Sequence, residues 1–312
     1  VVWADRFRFE QTASAHRPRS WAYDLFRRTR LLPVIFAPLT ALGQALMTLD
    51  RRVAQRARRE PTERSDAGRW LWLALVAGAV GWAVWLIAGY VAHNLSAGDV
   101  LRAFGLGVIT MVRVLVLIAL ASLIWVPIGV WIGLRPRWAE RLQPVAQFLA
   151  AFPANVLFPF AVIAIVHWHL NPDIWLSPLM VLGTQWYILF NVIAGASAIP
   201  NDLREAAGMF GVRRWQWWRS LAIPGIFPYY VTGALTASGG SWNASIVAEL
   251  VMWGNQKLTA TGLGAYIAQA TADGDFPRVT LGIAVMSIFV IGFNRLLWRP
   301  LYAYADRRLR LG

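Results

Sequence analysis

The chain alternates between long apolar runs and shorter polar segments that are rich in arginine. A helix needs roughly 20 apolar residues to cross about 30 Å of lipid hydrocarbon. Because a backbone in lipid has to satisfy its own hydrogen bonds, runs of this length are predicted to be helices. Six runs qualify: residues 70–92, 106–133, 145–168, 174–199, 226–252 and 279–298. The pattern therefore predicts an all-α, polytopic membrane helical bundle with six transmembrane helices.

Proline lies inside several of the predicted helices, at Pro127, Pro153, Pro159 and Pro178. A proline removes one backbone hydrogen bond and kinks a helix, and it is tolerated in a membrane where neighbouring helices cover the freed carbonyl. The third and fourth runs are separated only by a turn around residues 171–173, so they are predicted to form a helical hairpin.

Basic residues are distributed unevenly around these runs. When the N-terminus is taken as cytoplasmic, 26 of the 30 Lys and Arg residues fall on the cytoplasmic side. The four exceptions, assigned to the outer side or its membrane end, are Arg102, Arg113, Lys257 and Arg278. Since cytoplasmic loops carry an excess of Lys and Arg, this distribution predicts six spans with both termini in the cytoplasm.

The overall composition agrees with a membrane protein, with 57% hydrophobic and 15% charged residues. A net charge of +14 alone would be compatible with nucleic-acid binding, but the arginines flank apolar runs, so no nucleic-acid partner is predicted. The 312 residues contain no cysteine, which excludes disulfides and cysteine-based metal or nucleophilic sites within them.

Residues 1–69 contain 14 arginines and are predicted to be a cytoplasmic or interfacial segment, ahead of a transmembrane domain at residues 70–312. Residues 31–49 are uncharged and nearly long enough to cross the bilayer. A crossing would place the seven preceding arginines outside, so an interfacial or protein-covered helix pair is favoured, with a seventh span as the alternative. The similarity of residues 3–6 to residues 304–307 has two interpretations, the second half of a tandem repeat or a chance match.

A polar loop, residues 200–224, separates the fourth and fifth runs and falls on the cytoplasmic side. Asn201 is expected to cap a short helix, and Gly211 suits the left-handed conformation that ends such a helix. A second short helix is expected to begin at Val212 and to stop before Pro224, because the residue that precedes a proline resists the helical conformation. Loop 200–224 is thus predicted to be two short helices joined at a glycine.

The spacing within loop 200–224 follows a recognisable signature. Glu205-Ala206-Ala207 is followed by three residues, Gly211, nine residues and then Leu221-Ala222-Ile223-Pro224, with 101 residues after Gly211. This arrangement resembles the signature of the transmembrane permease subunits of bacterial binding-protein-dependent ABC importers of type I architecture, with Leu and Ile exchanged before the proline. Further positions resemble the nitrate, sulfonate and taurine branch of that family: Asn191, Gly195, Trp242, Ala248-Glu249 and Gly262-Leu263-Gly264.

The resemblance implies an import machine built from several polypeptides. It implies that a set of loop residues couples this chain to cytoplasmic ABC ATPase subunits, which would hold the ATP and Mg²⁺, with no cofactor on this chain. Those residues are Glu205, Ala206, Ala207, Gly211 and Pro224. Further implied partners are a second permease half or subunit, a periplasmic or lipoprotein substrate-binding protein and the lipid bilayer of the bacterial inner membrane. The implied cargo is a small anion such as a sulfonate, taurine or nitrate.

Enzyme motifs are not found in these 312 residues. They contain no Gly-x4-Gly-Lys-Ser/Thr segment and no nucleophile elbow, so no catalytic residue is assigned and ATP hydrolysis is expected on a separate subunit. Two alternatives remain, an ion-coupled secondary transporter and a membrane scaffold. A secondary transporter would be expected to carry a relay of intramembrane acids or histidines, and such residues are scarce here.

Charges at membrane depth are the remaining candidates, because they are costly and usually functional. Arg113 in the second run and Glu249 in the fifth are candidates for the translocation path, with a structural role as the alternative. His167 and His169 flank Trp168 at the end of the third run. Because no acidic or cysteine partner is near in sequence, the two histidines are interpreted as interfacial and no metal site is predicted.

Overall fold

The computed structural model describes residues 66–308, which are predominantly helical. The expectations for residues 31–49, for the remainder of the basic segment before residue 66 and for the short match at residues 3–6 lie outside this range. The chain divides into two units between Trp85 and Leu86, within the first described helix.

Residues 66–308 form α-helices, short 3-10 and π-helical turns, and one β-hairpin. The α-helices are α1 (Asp66–Asn94), α2 (Ala97–Gly133), α3 (Pro136–Ala151), α4 (Phe158–His167), α5 (Pro172–Trp175), α6 (Ser177–Leu182), α7 (Gln185–Ser197), α8 (Asn201–Met209), α9 (Arg214–Trp217), α10 (Ile223–Ala248), α11 (Leu263–Ala272), α12 (Phe276–Phe293) and α13 (Arg299–Arg308). A 3-10 turn lies at Ala154–Leu157, and π-helical turns lie at Trp218–Ala222 and Asn294–Trp298. Strands β1 (Leu250–Trp253) and β2 (Gln256–Thr259) form an antiparallel hairpin.

Within the described residues, three helical stretches are long and apolar enough to cross a membrane: Arg69–Asn94, Ala97–Gly133 and Phe276–Arg307. Two bent pairs pass the same test when each pair is taken as one span. They are Pro136–Ala151 with Ala154–His167, bent by 75°, and Pro172–Leu182 with Gln185–Ser197, bent by 46°. The prediction of a helical membrane bundle is confirmed. In the third predicted run, 145–168, where a kink is expected at Pro153, the chain is instead divided into two helices.

The break in that third run lies at Phe152 and Pro153. Phe152 ends α3 with φ −69° and ψ 129°, and Pro153 is also extended, with φ −64° and ψ 112°. A proline ring disfavours the helical region for the residue before it, and here Phe152 is extended, so α3 ends at this point. The 3-10 turn at Ala154–Leu157 then starts the chain in the new direction of α4.

Helix α10 packs against α2, α6, α7 and α11. Its 26 residues would span about 39 Å at 1.5 Å per residue, yet it is not among the stretches apolar enough to count as a span. The reason is its content of glycine, serine and threonine, which let membrane helices approach closely. A β-carbon on Gly233, for example, would lie 2.7 Å from the carbonyl oxygen of Tyr187 on α7. The predicted run 226–252 ends early, at Ala248, and the chain then enters a β-hairpin that the sequence pattern did not predict.

Helix α2 packs along α7 through the same kind of contact. A β-carbon on Gly129 would lie 2.7 Å from Val192 Cγ1, and one on Gly133 would lie 2.6 Å from the carbonyl oxygen of Ile193. The Ser197 hydroxyl donates to the carbonyl of Gly133 at 3.0 Å. These contacts leave no clearance between α2 and α7, and α7 in turn lies against α10.

Candidate functional site

Loop 200–224 forms two short helices on either side of Gly211, as the sequence indicates. Helix α8 ends in a Schellman motif, in which the Val212 N–H donates to the Ala207 carbonyl at 2.9 Å and the Gly211 N–H donates to the Gly208 carbonyl at 3.1 Å. Gly211 has φ +66°, a conformation that is costly for a residue with a β-carbon. The prediction of a left-handed Gly211 at the end of this helix is confirmed.

The start of α8 differs from the prediction. Pro200 is the N-cap, with φ −56° and ψ 139°, and Asn201 is already the first helical residue. The prediction that Asn201 caps the helix is therefore wrong, because the fixed φ of Pro200 already directs the chain into α8. Asn201 Oδ1 instead accepts a hydrogen bond from Arg204 Nη1 at 3.2 Å. Arg204 Nη2 also donates to the carbonyl of Leu134 at 3.4 Å, which ties the loop to the end of α2.

The second half of the loop also departs from the prediction at Pro224. The chain remains helical through α9 and the π-helical turn, and Pro224 lies in the first turn of α10. A proline is tolerated there because the first N–H groups of a helix have no partner within it. The N–H of Ile223 donates to the carbonyl of Trp218, five residues earlier, so the widened turn connects the two helices. The expected stop before Pro224 is wrong for this reason.

The tip of α8 presents an apolar surface. Met209 is 86% exposed and Phe210 is 85% exposed, directly before the turn at Gly211. Glu205 is exposed and Ala206 and Ala207 are half-buried. Adjacent large apolar side chains that no part of the described chain covers are typical of a surface that a partner covers. The five predicted loop residues thus lie around one exposed apolar tip or, in the case of Pro224, at the junction with α10.

The other end of α10 carries a buried carboxylate. Glu249 directly follows the helix and is only 1% exposed. Its Oε1 lies 2.5 Å from Arg113 Nη1 and accepts a hydrogen bond from the Thr110 hydroxyl at 2.9 Å, and its Oε2 accepts one from the Ala265 N–H at 3.1 Å. A carboxylate can be buried at this depth because it is both ion-paired and hydrogen-bonded.

Arg113 extends this group of side chains to the first turn of α5. Its Nη2 donates to the carbonyl of Thr261 at 3.1 Å and lies 3.6 Å from the carboxylate of Asp173. Asp173 Oδ1 accepts from the Thr261 N–H at 2.5 Å, and the Thr110 hydroxyl accepts from the Leu263 N–H at 2.9 Å. We call the four side chains of Thr110, Arg113, Asp173 and Glu249 the Glu249 network. Together they fix the segment between β2 and α11.

Two glycines make room for this network. A β-carbon on Gly262 would overlap the Glu249 carboxylate, and one on Gly264 would overlap the backbone of Ser245. Gly262 has φ −179°, which any residue adopts, so its role is to leave space rather than to adopt a special conformation. The two glycines thus allow the 259–265 segment to lie directly on the end of α10.

A cavity of about 350 Å³ borders the same segment. Its wall includes Gly262, Arg102 of α2, Tyr266 of α11 and Arg278 of α12. The hydroxyl of Tyr266 is buried and has no hydrogen-bond partner within residues 66–308. Burial raises the pKa of Tyr266 above its ordinary value.

The structure brings Arg113 and Glu249 together, and their mutual neutralisation favours the structural alternative for this pair. Thr110 and Asp173 were not candidates in the sequence. Thr110 lies three residues before Arg113, so the two share one face of α2, which is a signal that could have identified it. No comparable signal marks Asp173, since the partners of its carboxylate, Arg113 and Thr261, lie 60 or more residues away in sequence.

The histidine pair near the end of α4 is separate from both sites. His167 contacts the ring of Trp168 with 5.9 Å between ring centroids, and His169 has φ +49°. Over residues 66–308, no group of three or more His, Asp or Glu side chains is arranged to hold a metal ion.

The sequence of this chain is similar to those of known proteins. Residues 125–311 match the family described as binding-protein-dependent transport system inner membrane component. The bicarbonate transport system permease protein CmpB of Synechococcus elongatus is 26% identical over 189 residues, 61% of this chain and 63% of that protein. The nitrate import permease protein NrtB of Synechocystis sp. is 24% identical over 194 residues, 61% of this chain and 67% of that protein. The taurine transport system permease protein TauC of Escherichia coli is 25% identical over 182 residues, 57% of this chain and 62% of that protein.

Proposed function

The chain belongs to the family of binding-protein-dependent transport system inner membrane components, and we propose on that basis that it is the transmembrane permease subunit of an ATP-driven ABC importer. It is an inner membrane protein with several apolar helices. The proposed orientation has both termini in the cytoplasm, which follows from the positions of the basic residues. In this orientation loop 200–224 faces the cytoplasm and the Glu249 network lies toward the outer end of the bundle.

The observation that carries the proposal is the exposed tip of α8. A cytoplasmic ABC ATPase subunit is proposed to dock on it, through Met209 and Phe210 at the tip and Glu205, Ala206 and Ala207 along the helix. ATP and Mg²⁺ would be held by that ATPase. Gly211 fixes the angle between α8 and α9, and Pro224 lies in the first turn of α10. A displacement of the tip would therefore be transmitted to α10, the helix that Glu249 directly follows.

The cargo is proposed to be a small anion. The names of the relatives refer to bicarbonate, nitrate and taurine, and each of these compounds is small and carries an anionic group. A second permease half or subunit and a periplasmic or lipoprotein substrate-binding protein are proposed as the other partners. Arg113 and Glu249 are proposed to lie beside the translocation path. Their pairing supports a role in which the two side chains hold the 259–265 segment in position.

The ion-coupled alternative is less well supported. Among the buried polar and charged side chains of residues 66–308, Glu249 is the one carboxylate, and it is paired with Arg113. A proton or sodium relay would require several ionisable groups in sequence across the membrane. One neutralised pair does not make such a relay.

The proposal is tested with purified components. The chain, its ATPase and its binding protein are reconstituted into proteoliposomes, and ATP hydrolysis and uptake are measured with and without the binding protein. Stimulation of both by the binding protein supports an ABC permease. Uptake that needs no ATP but follows an ion gradient would instead identify a secondary transporter, and the absence of any uptake by the complete assembly would favour a scaffold.

A further inference from the structure

An apolar groove lies beside loop 200–224, between the second half of α2 and the start of α10. It has a volume of about 490 Å³ and is lined almost entirely by apolar side chains. Its wall includes Leu123 and Val126 of α2, Trp215 and Trp218 of the loop, and Phe227 of α10. Leu123 is 73% exposed and Trp215 is 70% exposed, so the groove opens to the outside of the described chain.

The two hydroxyl groups of the groove, those of Ser122 and Tyr230, are already hydrogen-bonded. Ser122 Oγ donates to the carbonyl of Ile118 at 2.6 Å and lies 3.0 Å from the hydroxyl of Tyr230. The ring of Tyr230 contacts that of Phe227, with 6.4 Å between their centroids. A ligand within the groove would therefore meet mainly hydrocarbon surface, which suits the tail of a lipid.

Three arginines adjoin the tryptophans of the groove in sequence. Arg213, Arg214 and Arg219 are exposed, and none of them forms an ion pair or side-chain hydrogen bond with residues 66–308. Arg214 is one helical turn before Trp218, and the two are joined by the hydrogen bond from the Trp218 N–H to the Arg214 carbonyl. Arg214 also has φ +51°, an uncommon conformation for a residue with a β-carbon. The loop thus combines an apolar groove, two tryptophans in its wall and uncompensated arginines beside those tryptophans.

We propose that this groove is a binding site for one anionic phospholipid, with an acyl chain in the groove and the phosphate of the headgroup on Arg214 and Arg219. Apolar surface holds the tail, tryptophan rings prefer the headgroup level of a membrane, and basic residues attract anionic lipid. The inference rests on the proposed function for the placement of loop 200–224 at the cytoplasmic surface. The wall includes Trp218, which begins the π-helical turn, and Phe227 of α10. The bound lipid would therefore stabilise the junction through which the loop acts on α10.

The test uses the full chain assembled with its ATPase in nanodiscs of phosphatidylcholine containing phosphatidylglycerol. Native mass spectrometry measures which lipid stays bound after release from the disc. We expect preferential retention of phosphatidylglycerol by the parent chain. The double variant Arg214→Gln and Arg219→Gln should lose roughly thirtyfold in this preference, since each basic residue near an anionic surface contributes about a factor of five.

Two further variants distinguish the contribution of the arginine charges from that of the apolar groove. Val126→Trp fills the groove without altering a charge and should reduce retention of both lipids. The control pair Arg137→Gln and Arg141→Gln removes two exposed arginines of α3 and should leave the preference unchanged. Equal retention of the two lipids by the parent chain, or full preference in the Arg214→Gln and Arg219→Gln variant, overturns the proposal.

A photoreactive residue in place of Leu123 identifies the occupant directly. A phospholipid adduct supports the lipid site, whereas an adduct to a second protein chain overturns it in favour of a helix-binding surface. The proposed import function fails separately. Lipid preference in a parent chain that binds no ATPase would contradict the permease assignment alone. A parent chain that forms an intact ATPase complex but shows no lipid preference would contradict the lipid site alone.

Discussion

Arg113 on α2 and Glu249 at the end of α10 form a buried ion pair, with 2.5 Å between Nη1 and Oε1. The Arg113 side chain is 10% exposed and the Glu249 side chain is 1% exposed. Two helices are therefore joined through charges that water cannot screen. Removing one partner leaves the other uncompensated in a site that supplies no replacement, so the pair is expected to be strongly coupled.

The first prediction concerns this coupling. Arg113→Met should lower the free energy of unfolding by about 3–5 kcal/mol, because Glu249 is then buried without a countercharge. Thermal unfolding of the purified chain in detergent measures the effect, and the double variant Arg113→Met with Glu249→Gln should recover part of the loss. Arg278→Met is the control, since the Arg278 side chain is 48% exposed and its ion pairs should contribute at most about 1 kcal/mol. Strictly additive effects of the two substitutions would contradict the coupling.

The second prediction concerns the space beside Glu249. Gly262→Ala should destabilise the chain by about 1–3 kcal/mol, because its β-carbon would overlap the carboxylate while the backbone itself is unstrained. Gly105→Ala on α2 is the matched control, since a β-carbon there meets nothing within 4 Å and alanine favours the helix. A Gly262→Ala chain that unfolds at the same temperature as the parent would contradict this prediction, because the Glu249 network would then rearrange without loss of stability.

The third prediction concerns Gly211. A β-carbon at this position meets nothing within 4 Å, so Gly211→Val acts through the backbone alone, where φ +66° is costly for a β-branched residue. The variant should uncouple ATP hydrolysis from uptake while the chain is still produced and inserted. Gly211→Asn should be milder, because asparagine tolerates the left-handed conformation, and Gly208→Ala within α8 should behave like the parent. Unchanged uptake by Gly211→Val would remove this residue from the coupling element.

The fourth prediction concerns the tip of α8. Met209→Ala and Phe210→Ala should leave the stability unchanged, because both side chains are more than four-fifths exposed. If the ATPase covers them, its affinity should fall by about tenfold or more for at least one variant, as expected for a buried interface anchor. Quantitative co-purification of the ATPase measures the change. Met252→Ala in β1, which is 63% exposed near the other end of α10, is the control and should have no effect.

The presence of the long helices and the position of Gly211 could be predicted from local sequence, whereas α2 extends nine residues before the predicted run. The runs 70–92, 106–133 and 279–298 correspond to helices because an uninterrupted apolar stretch in lipid has no other way to satisfy its backbone. Gly211 follows from the special conformation that ends a helix.

Features that depend on tertiary packing could not be predicted in this way. The effect of a proline on the helix around it depends on its neighbours. Pro153 interrupts a helical run, whereas Pro127 lies inside α2 without ending it. Pro224 lies in the first turn of α10, after a π-helical turn. The Glu249 network joins residues separated by 16 to 153 positions, and their arrangement is set by the packing of α2 against α10. Sequence reasoning identified Arg113 and Glu249 one at a time, as charges in apolar runs, but gave no reason to pair them.

The unbroken course of α10 makes it a lever between the loop and the Glu249 network. With a length of about 39 Å, a tilt of about 5° around its midpoint would move each end by roughly 2 Å. That distance exceeds the range over which a hydrogen bond retains its strength. A movement at the loop small enough to leave every helix intact would therefore be sufficient to release Arg113 from Glu249, and an intact pair holds the far end of the lever still.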